Sequence, residues 1–547
     1  MTAATVDGAA APRTGSSGSV LTGTGTLIRF VLRRDRVRIP IWVGSIVLLV
    51  LASVQEYPTL YATAADRQAR AEVMENPAAV ALSGPGYGLD DYTYGAMTAN
   101  ELLGFVAIVV ALMSILLVVR HTRTEEETGR AELVRAAVVG RHAGTTATLV
   151  VVGAVNVLIG LLFTIGLPAA LDELSVTGSF YFGMSVASVG FVFAAVAALA
   201  AQVTEHARGA AGIAGAALGL AFLLRAAGDI GNGALSWLSP LGWATQTRAY
   251  VDERFWPLLL SLGLTALLVV AAFVLSARRD VGAGMVAPRL GRPAATAALR
   301  GPLGLAVRLQ RASLAGWAAG VVIFGLVYGS LVGDVEEFVS ENSQLEDFLA
   351  STGGATPIDS FAAMMMTFLA LLAAGFAMQS VLRARGEETS GRAEPILSAA
   401  VRRERWAGSH LAIALVGSAA LVVLGAGCLG VVGAIVLDDG SFVTDLLGAA
   451  LANIPGVWLV VGIAVALFGL APRALPVVWV VLAYAVTVWM LGGFLQFPEW
   501  MYDLSPFGHS ELPAQDLTVA PFVLGGLAAA LIGLGLVGVR RRDLDTG

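Results

Sequence analysis

The sequence predicts an all-α polytopic membrane protein of 12 transmembrane helices, arranged as two tandem six-helix halves. Three observations carry this expectation. Of 547 residues, 56% are hydrophobic and only 14% charged, with a mean hydropathy of +0.77, whereas an ordinary soluble domain carries about 25% charged residues. Twelve apolar stretches come close to the ~20 residues that cross a bilayer. A series of sequence landmarks in the first half returns, in the same order, in the second.

The first-half spans are expected at about 39–56, 101–120, 143–167, 179–201, 209–228 and 257–276. Those of the second half fall at about 314–332, 360–382, 407–436, 446–470, 474–493 and 521–539. The fifth is the least apolar, being Gly/Ala-rich and carrying Arg225. All 34 basic residues are arginine, and their placement orients the chain by the positive-inside rule. Arg29, Arg33, Arg34, Arg36 and Arg38 precede the first span, and Arg120, Arg123, Arg130, Arg135 and Arg141 separate the second from the third. Seven more, from Arg278 to Arg311, separate the sixth from the seventh, and Arg540, Arg541 and Arg542 follow the last. The opposite loops hold acids instead, such as Asp66, Glu72, Glu75, Asp90 and Asp91. Both termini are therefore expected in the cytoplasm.

This divides the chain into a disordered cytosolic tail (1–25), a first half (26–280), a cytosolic linker (281–301) and a second half (302–547). The tail lacks the apolar run and cleavage site of a signal peptide. Two outer loops, 57–100 and 333–359, are long enough for solvated caps, the first with a polar helix over Ala62 to Glu75.

The repeat rests on four landmarks. Arg36 and Arg311 each stand six residues ahead of a tryptophan, Trp42 and Trp317. After the second span comes RTEEETGRAELVRAAVVGR, and after the eighth RGEETSGRAEPILSAAVRR, with Gly129-Arg130-Ala131-Glu132 matching Gly391-Arg392-Ala393-Glu394. LSPLG (238–242) and LSPFG (504–508) precede the last span of each half. Arg279-Asp280 and Arg542-Asp543 then close the halves. An even number of spans per copy leaves both copies in one orientation, which implies a pseudo-two-fold axis along the membrane normal and a pathway between the halves.

The segment 123–142 is too polar for lipid and too long for a tight turn. Glu126 and Arg130 stand four residues apart, as do Arg123 and Glu127, a spacing that supports a short charged helix. Gly129 and Gly391 mark a break or a close backbone approach. A single such run reads as a solvated loop helix. Two matched copies are what a symmetric partner would grip.

The pattern E-E-x-x-G-R-x-E after the second span resembles the coupling-helix segment of ABC-2 type permeases. With SP-x-G before the sixth span and Arg-Asp after it, nearly the whole chain resembles actinobacterial antibiotic exporters of the tetronasin and polyketide type. The resemblance implies a multi-pass protein of the bacterial inner membrane with two ATP-binding cassette subunits as partners. Glu125, Glu126, Gly129, Arg130 and Glu132 would dock on one of them, and Glu387, Glu388, Gly391, Arg392 and Glu394 on the other. Pro395 replaces Leu133, so the two docking helices should differ in shape. It also implies a membrane-surface elbow helix before each half, at Leu27–Arg36 and Leu303–Arg311, and an outer gate at Pro240 and Pro506. The cargo would be an apolar or amphiphilic small molecule. No nucleic acid is expected as a partner.

A P-loop needs a lysine on the phosphates, and the chain has none. ATP and magnesium are thus expected on the partner, with no cofactor in this chain. An ion-coupled secondary transporter is the alternative, since parallel repeats occur there too. Such carriers place ionisable groups near the midplane, whereas Glu101, Asp229, Asp359 and Asp445 fall near span ends. A membrane enzyme fits less well: His121, His142, His206, His410 and His509 make no metal-spaced pair, and Cys428 is the lone cysteine. Within the spans, Asn156, Arg225, Gln379, Asn453 and Tyr484 read as interhelical hydrogen bonders, with snorkelling to the outer surface as the alternative for Arg225.

Overall fold

The computed structural model describes residues 19–75, 77–279, 284–285, 293–335, 356–399, 401–491, 498–508 and 519–543. Among these, twelve helices are long and apolar enough to cross a membrane. They run Arg38–Leu60, Tyr94–Glu127, Ala143–Ala170, Val176–Val203, Ala207–Ile230 and Trp256–Arg278, then Pro302–Ser330, Pro357–Thr389, Arg403–Leu437, Ser441–Leu470, Pro472–Trp489 and Ala520–Arg541. The chain forms two compact units, Met1–Leu290 and Gly291–Gly547.

In the first unit the fourth span is the central post. Its most apolar stretch is 78% buried, against 17% for the sixth. The third, second, sixth and fifth spans all pack on it. Small residues make that possible. A Cβ on Gly160 would sit 2.9 Å from the carbonyl of Gly183, and one on Gly183 would sit 2.3 Å from that of Gly160. The third and fourth spans therefore touch backbone to backbone, the packing that small residues allow in lipid. The second unit places its eighth span deepest, again 78% buried. Its tenth and twelfth spans meet through Gly469 and Gly535, where a Cβ on Gly469 would lie 2.0 Å from a carbonyl oxygen.

The intramembrane polar residues are hydrogen-bonded within their own units. The Asn156 amide donates to Ser114 at 3.1 Å, Gln379 accepts from Ser313 at 2.6 Å and from Trp317 at 3.1 Å, and Tyr484 donates to the Met501 carbonyl at 2.9 Å. Asn453 donates to the Ala449 carbonyl of its own helix at 2.9 Å. Arg225 does not snorkel. It is buried and donates to the carbonyls of Ala81 and Leu82 at 2.6 and 2.9 Å, capping the short helix Pro77–Ser83. That helix and the polar helix Ala64–Glu75 belong to the loop between the first and second spans. There Arg70 holds Glu101 through two hydrogen bonds of 3.0 and 3.1 Å, and the carboxylate raises the Arg70 pKa against the opposing effect of burial. Residues 336–355 between the seventh and eighth spans, residues 281–283 and 286–292 of the linker, and His509 lie outside the described residues.

The two elbows differ. In the first unit Thr24–Arg34 is a separate helix that ends at Asp35, and the first span restarts at Arg38. Pro40 explains the restart: it has no N–H to donate, and its ring would clash with the carbonyl of Arg36 in a continuous helix. In the second unit Ala315 occupies the corresponding place. Helix Pro302–Ser330 accordingly runs unbroken through Leu303–Arg311 and into the span.

Candidate functional site

The candidate site is the charged segment that follows the second span, together with its repeat after the eighth. In the first unit the helix of the second span ends at His121, Thr122 departs from helical geometry, and a short helix Arg123–Glu127 follows. Gly129 then adopts φ +72°, the left-handed conformation that ends helices and suits glycine. A second short helix, Arg130–Arg135, completes the segment.

Three consecutive glutamates on Arg123–Glu127 point in different directions, because successive helical residues are rotated by about 100°. Each holds a different element. Glu125 pairs with Arg34 of the elbow helix. Glu126 takes two hydrogen bonds from Arg279, at 2.7 and 2.9 Å, just past the sixth span, and pairs with Arg123 on its own helix. Glu127 accepts from the backbone N–H of Ala207 at 3.1 Å, where the fifth span begins. Arg279 also donates to Gln202, at the end of the fourth span, at 2.6 Å. Beside this hub Asp35, fully buried, lies 2.5 Å from His121 and 3.3 Å from Arg120. The corner between elbow and first span is thereby tied to the end of the second. Residues 123–127 thus form a junction reached by the elbow and by the fourth, fifth and sixth spans.

The second unit repeats the central part. Gly391 has φ +70°. Glu388 takes two hydrogen bonds from Arg542, at 2.5 and 2.7 Å, and pairs with Arg385 at 3.5 Å. The triad Arg123, Glu126, Arg279 therefore has a counterpart in Arg385, Glu388, Arg542. The periphery differs. Leu309 stands where Arg34 does, and Glu387 instead pairs with His410 at 3.4 Å and Arg383 at 3.6 Å. Thr389 replaces Glu127, and the helix of the eighth span continues unbroken to it. Gln310 replaces Asp35, and its amide meets the His410 ring at 3.1 Å.

Comparison with known proteins shows the family. The family described as "Multidrug efflux system permease Rv1217c, C-terminal domain" matches residues 26–275 and 299–540. The chain belongs to this family. It is also 41% identical over 536 residues to the multidrug efflux system permease protein Rv1217c of Mycobacterium tuberculosis, with 96% of each chain covered. Membership and the twelve candidate spans together make it a multi-pass membrane protein.

For this family member, the ten residues expected at a docking surface fall into two sets. Glu125, Glu126, Glu387 and Glu388 turn inward: their side chains are 15%, 11%, 9% and 1% exposed and engaged in ion pairs within their units. Arg130, Glu132, Arg392 and Glu394 are exposed, and so is Leu133, at 77%. Gly129 and Gly391 form the hinge between the two sets. The spacing-based pair Glu126–Arg130 does not form, because the left-handed turn at Gly129 carries Arg130 away from the helix face that bears Glu126. The residues that sequence reasoning left without a role are Arg34, Asp35, Arg279 and Arg542. For the last two the signal existed in the repeated Arg-Asp pair. Asp280 itself lies outside the described residues.

Pro240 and Pro506 are both buried. Pro240 opens the short helix Pro240–Thr245 behind Ser239, whose hydroxyl donates to the Ala221 carbonyl of the fifth span at 2.7 Å. The Pro506 carbonyl packs on Gly456 of the tenth span, 2.6 Å from where a Cβ would stand.

Proposed function

We propose that this chain is the membrane-spanning permease subunit of an ATP-driven ABC exporter for apolar or amphiphilic compounds: drugs, antibiotics or lipids. The observation that carries the proposal is the repeated triad, Arg123–Glu126–Arg279 and Arg385–Glu388–Arg542, each centred on a glutamate just before a left-handed glycine, beyond which an exposed Arg and Glu follow. A partner pushing on Arg130–Glu132–Leu133, or on Arg392–Glu394–Pro395, acts through the buried glutamates on several spans at once. The partner is a separate ATP-binding cassette protein, two copies per permease, carrying ATP and magnesium. Its closure and reopening drive the two halves between inward- and outward-open states. Both termini and both charged segments lie on the cytoplasmic side of the inner membrane, and Pro240 and Pro506 belong to the outer gate. The family name and the relative's name support drug efflux.

The test is reconstitution in liposomes with the ATP-binding protein encoded beside this gene. Export of a fluorescent drug should require both proteins and ATP. Export driven by a proton gradient with no ATP-binding protein present would replace this reading with ion-coupled transport.

A further inference from the structure

We infer that the first unit carries a built site for an anionic phospholipid of the cytoplasmic leaflet, in an open groove of about 540 Å³ between the first, second and fifth spans. Three arginines from sequence-distant elements converge on it: Arg38 at the start of the first span, Arg120 at the end of the second and Arg208 at the start of the fifth. Among the described residues no carboxylate lines the groove. Arg120 is held in place by Asp35, at 3.3 Å, while Arg38 and Arg208 have no ion-pair partner among the described residues. Below the arginines the wall is apolar, with Ile41 62% and Leu116 44% exposed, beside Trp42. A cationic mouth above an exposed apolar wall is complementary to a phosphate headgroup carrying an acyl chain, and basic pockets between spans on the cytoplasmic side bind such lipids.

The second unit supplies an internal comparison. Its groove of about 400 Å³ lies between the seventh and eighth spans and shares four positions with the first, with no lining from the eleventh span among the described residues. Trp317 stands for Trp42, Ser313 for Arg38, Gly316 for Ile41 and Gln379 for Leu117. It has no charged residue in its lining. The tryptophan recurs while the cationic mouth does not, and the anion preference is assigned to the first unit.

Native mass spectrometry of the full-length chain, taken from nanodiscs of phosphatidylglycerol and phosphatidylcholine with identical acyl chains, tests the site. The wild type should retain phosphatidylglycerol selectively. Arg38→Gln with Arg208→Gln should weaken that retention about 25-fold, from roughly fivefold per arginine near a membrane surface. Arg29→Gln with Arg33→Gln removes equal charge from the adjacent elbow helix and should leave retention unchanged. If the groove pair does not purify folded, Arg208→Gln alone should show the fivefold loss. Equal retention of the two lipids, equal loss in the elbow control, or displacement of the lipid by inorganic phosphate alone would each overturn the proposal. The readout needs no ATP-binding protein and no cargo, so it stands or falls separately from the export reading.

Discussion

Replacing Glu126 by Gln keeps the shape of the hub and removes a negative charge that both Arg123 and Arg279 contact. The Glu126 and Arg279 side chains are only 11% and 8% exposed, and Arg279 approaches both carboxylate oxygens. Removing one partner of a buried, hydrogen-bonded ion pair costs about 3 kcal/mol. That is roughly a hundredfold in the opening equilibrium of the segment it holds. Arg540–Glu404 offers a contrast on the same chain, at 3.3 Å but with side chains 75% and 35% exposed. Exposed pairs contribute about 0.5 kcal/mol, so Glu404→Gln should change local opening by only about twofold. Hydrogen–deuterium exchange of peptides spanning 123–142 and 403–410 reads both. In a double-mutant cycle, Glu126→Gln and Arg279→Gln should be non-additive by more than 1 kcal/mol. If Glu126→Gln exchanges no faster than Glu404→Gln, or if the cycle is additive, the hub does not hold the segment.

Other expectations follow from single sites. Gly129→Ala and Gly391→Ala should each cost about 1–2 kcal/mol, because φ near +70° is unfavourable for alanine although the space beside it is open; drug-export assays should show the loss without reduced expression. Gly183→Leu should separate the third and fourth spans and lower the yield of folded protein on size-exclusion chromatography, whereas Gly212→Leu, with open space around it, should not. Arg225→Leu removes the cap on Ala81 and Leu82 and leaves Asp229 in a buried setting, at a cost of about 3–5 kcal/mol, visible as a lower unfolding temperature. In the loop between the first and second spans the Thr63 N–H donates to the Asp66 carboxylate at 2.8 Å and holds its pKa below the usual value. A depressed carboxylate stabilises above its unfolded pKa and loses that stabilisation as pH falls through the folded one. Exchange in helix Ala64–Glu75 should therefore rise on acidification beyond the intrinsic pH effect, and Asp66→Asn should flatten the response.

The twelve spans were legible because lipid imposes a length and an apolarity on each of them, and every expected stretch overlaps an observed helix. The turn at Gly129 and Gly391 was legible because a left-handed residue favours glycine. What the chain concealed was which charges meet. Arg279 reaches Glu126 across 153 residues, and Arg542 reaches Glu388 across 154. No local spacing contains such a pair, whereas the adjacent Glu126–Arg130 spacing pointed to a contact that Gly129 prevents. The unequal elbows turn on one position, Pro40 against Ala315. The Asp35–His121 pair was hidden for another reason: in sequence Asp35 is one acid among surface arginines, and only packing reveals it as fully buried.

Coupling through the two glutamate hubs is the central claim, and the Glu126→Gln, Glu388→Gln double variant tests it most directly. Reconstituted with the ATP-binding protein proposed as its partner, the variant complex should hydrolyse ATP while exporting drug at no more than about a tenth of the wild-type rate, the loss expected when one or two kcal/mol of coupling is removed. Wild-type export per ATP in that variant would show that force reaches the spans by another route.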